Sequence, residues 1–282
     1  MPLKHVVLMR HAERLDRFEE IAGRDWISKA ERPQDTPITE RGKLQAETAG
    51  RNLLGRGVRF VKIFASPTIR CVMTSHEVAG VHGVSRICIE QGLVECAKDM
   101  RGRSSGEKQP NWNPLVLDVA ALSEHSPLVS ADYESLVKVT HERDPDVAYN
   151  EIRELCPTGS REPAQVFSAR CARTIRAIVQ TCITEFADTH EDVAVLCVGH
   201  GASIGRKGCA GALQAGLAPE LTMGLTDETD HTDYTSYCVF EVTDLDPALS
   251  NRAETMVPGK MIKPADPCWQ SAHLDALGGR HG

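Results

Sequence analysis

A histidine stands between two arginines directly after an apolar run near the start of the chain. The stretch VVLMRHAERLD, residues 6–16, places Arg10, His11 and Arg14 behind four apolar residues. Arginine presents a planar fork of donors that matches phosphate oxygens. Its positive charge also favours the neutral imidazole, which has a lone pair for attack. The spacing fits a phosphate site with a nucleophilic histidine, and it fits equally a loop with a satisfied histidine and two solvated arginines.

Three later apolar runs also end in polar residues that could join such a site. Arg70 lies one helical turn beyond Ser66, which marks the strand-to-helix turn after the second run, and His200 follows the run VAVLCV after one glycine. Glu90 and Glu95 follow the run RICI, and Glu95, farther along the loop, is the better candidate for protonating a leaving oxygen. Ligands of α/β sheets bind beyond the carboxyl ends of the strands, so these residues are expected to meet there.

The elements that must position these residues are visible in the apolar pattern. The runs are rich in valine and isoleucine and do not alternate with polar residues, which is typical of central strands covered on both faces. These strands are predicted at residues 5–9, 61–66, 86–90, 193–198 and 237–242. Helical segments lie between them, which predicts an α/β three-layer sandwich with a mostly parallel central sheet flanked by helices.

The predicted helices have recognisable ends. The first begins after Thr39 as N-cap and ends at Gly55, and the second ends near Gly80. The longest lies within residues 164–190, and a fourth follows GHGASIG. We expect a single domain over residues 1–282, with an insertion or cap at about 97–163 and an irregular C-terminal tail from about residue 243.

Composition excludes several classes of protein. The 282 residues carry a net charge of -7, so no broad basic surface for nucleic acid or an anionic membrane is expected. No apolar run approaches the roughly 20 residues of a membrane span, and the N-terminal run is too short for a signal peptide. The ten cysteines form no C-x-x-C pair, so no zinc site is indicated. We expect a cytoplasmic protein with reduced thiols, no metal and no cofactor; its oligomeric state stays open, with a homodimer as one option.

The order of these blocks resembles the histidine phosphatase superfamily, which has the phosphoglycerate mutase-like fold. RHAER is similar to its R-H-G-E motif, TPITERGKLQAE to its first helix opening, SPTIRC to its second arginine motif and VGHGAS to its second histidine. RHAERLD, SPTIRC and IEQGLVE look closest to the Sts-type phosphatases. Those proteins also carry ubiquitin-associated and SH3 domains, for which this chain has no room, so their partners are not expected here.

The resemblance implies a role for each matching residue. His11 would be the nucleophile and phosphohistidine carrier, and Glu95 the proton donor. The implied phosphate ligands are Arg10, Arg14, Arg70 and His200. The implied activity is that of a metal-independent, histidine acid phosphatase-type phosphomonoesterase, with a phosphorylated small molecule or a phosphoprotein as substrate. Ala12 departs from the family, which has glycine at this position.

Other functions compete with this one. Phosphoglycerate mutases usually carry a small residue at the position of Arg14, which argues against mutase activity. GASIG matches the G-x-S-x-G nucleophile elbow, which would make Ser203 the nucleophile of an acyl hydrolase, with Asp227 or Asp230 and then His231 downstream. That hypothesis leaves the arginines unexplained, and a helix N-cap is the simpler interpretation of Ser203. A non-catalytic phosphate-binding module is a third alternative.

Substrate specificity is expected in two segments. One is the insertion at 97–163, and the other is the loop after Gly23. Trp26 in that loop is a candidate aromatic wall for the leaving group, or it packs beneath its own loop.

Overall fold

The computed structural model describes residues 3–33, 35–95, 117–137, 164–206, 209–210, 234–242 and 259–266. Within these residues one six-stranded sheet forms the centre of the molecule. Its strands are β1 (Leu3–Arg10), β2 (Phe60–Ala65), β3 (Ile87–Ile89), β4 (Val193–Gly199), β7 (Tyr237–Val242) and β8 (Gly259–Asp266). The short strands β5 (Gly205–Arg206) and β6 (Cys209–Ala210) pair separately.

The strand order is β3-β2-β4-β1-β7-β8. The first four strands run parallel, whereas β7 is antiparallel to β1 and β8 is antiparallel to β7. The predicted α/β class with a mostly parallel sheet is therefore confirmed. The carboxyl ends of β1, β2 and β4 lie side by side at one edge of the sheet, where sequence analysis placed the polar residues.

Both faces of the sheet are covered by helices. The helices are α1 (Leu15–Ile21), α2 (Glu40–Gly55), α3 (Ile69–His82), α4 (Val119–Ser123), α5 (Ala164–Glu185) and α6 (Gly201–Ile204). Val6 and Leu8 pack with the apolar side of α5, while Val7 and Met9 pack with α2 and α3. Successive side chains of a strand point to opposite faces, so a continuous apolar run produces a three-layer sandwich.

Helices α2, α3 and α5 lie where the sequence predicts them. The Thr39 hydroxyl accepts a hydrogen bond from Gly42 N at 2.9 Å, as expected of an N-cap. Helix α3 ends at His82, two residues past Gly80, and Gly83 follows with a left-handed φ of 68°. The fourth helix, predicted after GHGASIG, is not found there among the described residues: the short α6 lies within that stretch, and strands β5 and β6 follow it.

The segments predicted to be irregular contribute regular structure. Strand β8 lies in the expected C-terminal tail and pairs with β7. In the expected insertion, Ile87 N donates to Leu128 O at 2.7 Å and Ser130 N donates to Ile87 O at 2.9 Å, which extends the sheet beyond β3. Residues 97–116 and 138–163 of the insertion lie outside the described residues, and the single-domain organisation stays a prediction. No helix among the described residues has the length and hydropathy needed to cross a membrane.

Helix α2 approaches the first site loop very closely at Gly42. A Cβ at this position would lie 2.9 Å from Glu13 O and 3.1 Å from Ile38 Cβ.

We predict that Gly42→Ala lowers the free energy of unfolding by about 1–3 kcal/mol, because backbone must move to admit the methyl group. Gly80→Ala is the matched control, because Gly80 is exposed within α3 with no atom near its Cβ position. It should raise that free energy by about 0.5–1 kcal/mol. Urea unfolding measures both; equal stability of Gly42→Ala and wild type would contradict this account.

Candidate active site

Three strand ends bring the candidate residues together at the edge of the sheet. His11 N donates to Gly199 O at 2.9 Å, which ties the end of β1 to the end of β4. Ser66 N donates to Val198 O at 3.0 Å, which ties the end of β2 to the same strand. The rings of His11 and His200 consequently lie 5.5 Å apart, centroid to centroid. The sheet itself, rather than a flexible loop, sets the spacing of the two histidines.

The imidazole of His11 is buried and held in one tautomer. Its Nδ1 lies 2.9 Å from Ala12 O. A carbonyl oxygen can only accept a hydrogen bond, so Nδ1 carries the hydrogen and Nε2 keeps the lone pair. Burial, followed by the charges of Arg70 and Arg10, holds the pKa of His11 well below its ordinary value. His11 is therefore a neutral imidazole with a lone pair on Nε2, as a nucleophile requires.

Ala12 fits into the fold beneath the site. Its methyl group belongs to the apolar core that includes Met9 and Ile38, and the residue is fully buried. Its N–H donates to Thr74 Oγ1 at 3.0 Å, and Thr74 Oγ1 donates in turn to Arg70 O at 2.7 Å. The loop after β1 is thus joined to the first turn of α3, and the side chain at residue 12 contributes to core packing.

Arg70 is the central cation of the site. Its side chain is 1% exposed, and Nη2 donates to Glu95 Oε2 at 2.7 Å and to His200 Nδ1 at 3.1 Å. On its other side, Nη1 lies 3.8 Å from Asp35 Oδ1. Asp35 is itself fixed, since its Oδ1 accepts from Ile69 N at 2.9 Å. One buried guanidinium therefore connects residues from three separate parts of the chain.

His200 is fully buried and is also held in one tautomer. Arginine can only donate, so Nδ1 of His200 accepts from Arg70 and Nε2 carries the hydrogen. That Nε2 lies 2.8 Å from Ser66 Oγ, which accepts its hydrogen bond. Burial, reinforced by the charge of Arg70, lowers the pKa of His200 to about 3 although Glu95 opposes the shift. His200 is therefore neutral in the unliganded site.

Glu95 is ionised in the unliganded site. Burial raises the pKa of this carboxyl group, but the positive charges of Arg70, Arg14 and Arg10 offset that effect and lower the pKa to about 2. Its side chain is 14% exposed, so it lies at the mouth of the site rather than within the core. A group that moves these positive charges away from Glu95, or that brings negative charge close to it, would raise its pKa again.

The structure separates the two glutamates that follow β3. Glu90 is fully buried, and its carboxylate accepts hydrogen bonds from five donors. These donors are Gly92 N, Tyr133 Oη, Ser135 Oγ, Leu136 N and Val137 N, at distances of 2.7 to 3.1 Å. Glu90 therefore holds its own loop and residues 133–137 in place. Glu95, in contact with Arg70, is the carboxylate that faces the site.

The other two arginines are held in different ways. Arg14 makes a two-point pair with Asp16: Nε donates to Oδ1 at 2.9 Å and Nη2 donates to Oδ2. Both of these side chains are buried. Arg10 lies over the ring of Tyr234, with 4.5 Å between Cζ and the ring centroid. All six residues predicted for the site from sequence are thus found at one edge of the sheet.

Several contributors were not recognised in the sequence. Ser66 was noted only as a turn residue, while Asp16, Asp35 and Tyr234 were not considered. Glu13, within RHAER, is buried and accepts from Thr39 Oγ1 at 2.7 Å and from Arg41. Its position within the motif RHAER was the available signal. Tyr234 gave no signal, because it lies more than 200 residues from Arg10 along the chain.

Two sequence interpretations are changed by the structure. Ser203 lies inside α6 rather than at its N-cap position, so the N-cap interpretation was wrong. Its hydroxyl is buried, and its proposed acyl-hydrolase partners Asp227, Asp230 and His231 lie outside the described residues. Trp26 borders a surface groove with Glu19, Arg24, Asp25, Lys29 and Ala30, and none of these is a site residue.

The comparison with known protein families covers most of these residues. Residues 6–142 match the histidine phosphatase superfamily (branch 1). This stretch, just under half of the chain, is therefore similar to that superfamily. The matched region carries His11, Arg70 and Glu95, while His200 lies beyond it, directly after β4.

The chain also resembles part of a larger human protein. Human ubiquitin-associated and SH3 domain-containing protein A is 24% identical over 233 residues, which is 71% of this chain and 30% of the human protein. The mouse protein of the same name is 25% identical over 209 residues, or 63% of this chain and 29% of its own length. The chain therefore spans less than a third of the length of these curated relatives.

Solved structures share the fold across the whole chain. The ecdysone phosphate phosphatase of Bombyx mori, in complex with tungstate, has a TM-score of 0.59 at 17% identity, covering 99% of this chain and 98% of that protein. A mycobacterial hydrolase has a TM-score of 0.55 at 18% identity, covering 100% of both chains. These likenesses place the chain in the phosphoglycerate mutase-like fold.

The buried, neutral His200 should make the protein less stable in acid. The unfolded chain takes up a proton at this histidine below about pH 6.5, whereas the folded chain does not until about pH 3. The free energy of unfolding should therefore fall as the pH is lowered from 6.5 to 5. The His200 contribution should approach about 1.4 kcal/mol per pH unit.

His200→Gln tests this dependence. It removes the titrating ring, so its free energy of unfolding should fall less steeply between pH 6.5 and 5 in urea titrations. Between pH 7.5 and 8.5 the two proteins should differ by a constant amount. Parallel curves from pH 8 to pH 5 would rule out this role of His200.

Proposed function

We propose that this protein is a phosphomonoester hydrolase that acts through a phosphohistidine at His11. The observation that carries the proposal is the state of His11: a buried, neutral ring with Nδ1 bound to Ala12 O and a lone pair on Nε2, next to Arg10 and Arg70. A histidine that only filled space would not need two arginine neighbours. The substrate is a phosphorylated small molecule or a phosphoprotein.

In the first step, Nε2 of His11 attacks phosphorus in line with the leaving group. A P–N bond forms while the P–O bond to the alcohol breaks, and the phosphoryl group is transferred to the histidine. The phosphoryl oxygens carry the charge of the transition state. Arg10, Arg14, Arg70 and His200 are the groups placed to stabilise that charge.

Glu95 is proposed to protonate the leaving oxygen. It is ionised before substrate binds, so binding itself must raise its pKa. A bound phosphate group brings negative charge next to the carboxylate and competes with it for Arg70, and both effects favour the protonated form. The proton comes from solvent or from a substrate monoanion. After the alcohol leaves, ionised Glu95 takes a proton from the water that attacks the phosphohistidine, and free phosphate is released.

The comparisons support this chemistry at the level of family and fold. The Bombyx mori structure is that of a phosphatase with tungstate, a tetrahedral oxyanion like phosphate. We further propose that no metal ion is needed, because three arginines already supply positive charge. We also propose that the protein acts in the cytoplasm, where reduced thiols persist; six of the ten cysteines lie buried as free thiols in the described residues.

His11→Ala tests the nucleophile. With p-nitrophenyl phosphate and EDTA present, the wild type should turn over, and the variant should lose at least about a thousandfold in kcat because no covalent intermediate can form. Wild type quenched during turnover should carry one labile phosphoryl group by intact mass, and His11→Ala should carry none. Ser203→Ala is the matched control and should retain activity.

The other outcomes each favour another function. If only Ser203→Ala loses activity and the wild type cleaves carboxylic esters, the protein is an acyl hydrolase. Binding of phosphate without turnover of any phosphate ester would leave a binding module. Activity that requires a bisphosphoglycerate primer would identify a mutase.

Glu95→Gln tests the proton donor. The amide keeps the shape and still accepts from Arg70, but it cannot deliver a proton. We expect kcat/KM, which reports phosphoryl transfer to His11, to fall by roughly a hundredfold or more for alkyl phosphates, and much less for p-nitrophenyl phosphate, whose leaving group is stable as an anion. The dependence of log kcat/KM on leaving-group pKa should therefore steepen. Glu90→Gln, in the same loop, should lower the free energy of unfolding without changing that slope. An unchanged slope in Glu95→Gln would exclude Glu95 as the acid.

A further inference from the structure

Tyr234 belongs to none of the motifs yet borders the site. The Cζ atom of Arg10 lies over its ring, 4.5 Å from the centroid, and the ring of His11 lies 5.8 Å away, centroid to centroid. Tyr234 immediately precedes Thr235, Ser236 and strand β7. The aromatic ring is therefore attached to the strand that pairs with β1, next to the strand end that carries Arg10 and His11.

The backbone beside Tyr234 adopts an unusual conformation. Thr235 has a φ of 58°, and within the described residues it is the one non-glycine residue with positive φ. A β-branched residue in this region is strained, and such strain persists only where the surroundings enforce it, often at functional sites. Thr235 Oγ1 donates to Tyr234 O at 2.7 Å, and Thr235 N donates to His11 O at 3.4 Å. These contacts hold Tyr234 against the end of β1.

Arg10 is enclosed by its backbone and by its neighbours. Its N–H donates to Ser236 O at 2.9 Å, which fixes the start of the side chain. Its guanidinium also lies against Gly201, where an added Cβ would be 3.4 Å from Nε and 3.6 Å from Cζ. Gly201 and Tyr234 thus both restrict where this guanidinium can lie.

Two kinds of contact are found at the arginines of the site. Arg14 donates to the carboxylate of Asp16 and Arg70 donates to that of Glu95, so each of these pairs uses N–H donors of the guanidinium. Contact with an aromatic face uses the face of the guanidinium and none of its N–H donors. It also adds no negative charge to a site that must accept phosphate.

We propose that Tyr234 is a positioning residue, which holds the guanidinium of Arg10 beside His11 through its ring face so that the guanidinium is directed at a phosphoryl group there. The consequence for catalysis rests on the function proposed above, while the positioning itself does not. Loss of the ring gives Arg10 more freedom and should weaken phosphate binding roughly threefold to thirtyfold, the range of a cation–π contact. Loss of the hydroxyl alone should have little effect.

The test compares Tyr234→Phe with Tyr234→Leu. Calorimetry measures the Kd of inorganic phosphate, and p-nitrophenyl phosphate gives kcat and KM. We expect Tyr234→Phe to match the wild type, and Tyr234→Leu to raise the phosphate Kd and KM with a smaller change in kcat. Phe18→Leu is the matched control, because Arg24 lies over that surface ring at 5.5 Å, away from the site; it should leave Kd unchanged. Tyr234→Met is a second ring-free variant in case the leucine protein does not fold.

A second readout does not depend on activity. The Nε–H resonance of Arg10, assigned by its loss in Arg10→Lys, should carry a ring-current shift in the wild type and Tyr234→Phe but not in Tyr234→Leu. If no protein turns over phosphate esters, yet Tyr234→Leu loses this shift and binds phosphate more weakly, the positioning role stands and the proposed hydrolase fails. Equal phosphate affinity in Tyr234→Leu and wild type would overturn the positioning role. Equal losses in Tyr234→Phe and Tyr234→Leu would overturn it too, since the hydroxyl would then be the active group.

Discussion

The buried charge of Arg70 is the constraint on which the site depends. A guanidinium removed from water is very unfavourable unless charges and hydrogen bonds compensate it. Here Glu95, His200 and Asp35 provide that compensation, and each comes from a different part of the chain. The same requirement explains two further properties of the site. His200 stays neutral because another positive charge next to Arg70 would be costly, and Glu95 stays ionised because Arg70 is its partner. A bound phosphate would share Arg70 with Glu95, so substrate binding and the protonation of Glu95 are linked through one side chain.

The central sheet fixes the positions of these charged and polar residues. The last residues before the site are apolar and buried in all three strands: 6–9 in β1, 63–65 in β2 and 193–198 in β4. Polar residues become possible only at the carboxyl edge, where His11 and His200 emerge from neighbouring strands. Backbone hydrogen bonds from His11 to Gly199 and from Ser66 to Val198 continue the ladder beyond the strands. The reacting groups are therefore supported by the most regular part of the fold.

Features that depend on adjacent residues could be predicted from the sequence. The five predicted strands were all found, and Thr39 caps α2 as expected, because apolar runs and N-caps depend on adjacent residues. The residues expected to meet beyond the strand ends do lie at one edge, since parallel strands bring their carboxyl ends together; their roles stay predictions. Prediction failed where an interaction joins distant segments. The pairing of β8 with β7, and the contact of Tyr234 with Arg10, leave no periodic pattern in the sequence. The end of α3 near Gly80 was predicted to within two residues, although the left-handed residue that follows the helix is Gly83.

The five hydrogen bonds of Glu90 have a mechanical consequence. Through this carboxylate, the loop that leads to Glu95 is joined to residues 133–137, which lie within the insertion. A shift of residues 133–137 would have to break bonds to Glu90 or carry its loop along, and Glu95 lies five residues farther on the same loop. The insertion is thus coupled to the carboxylate that faces Arg70. Sequence changes in the insertion can therefore tune the site without altering any residue within it.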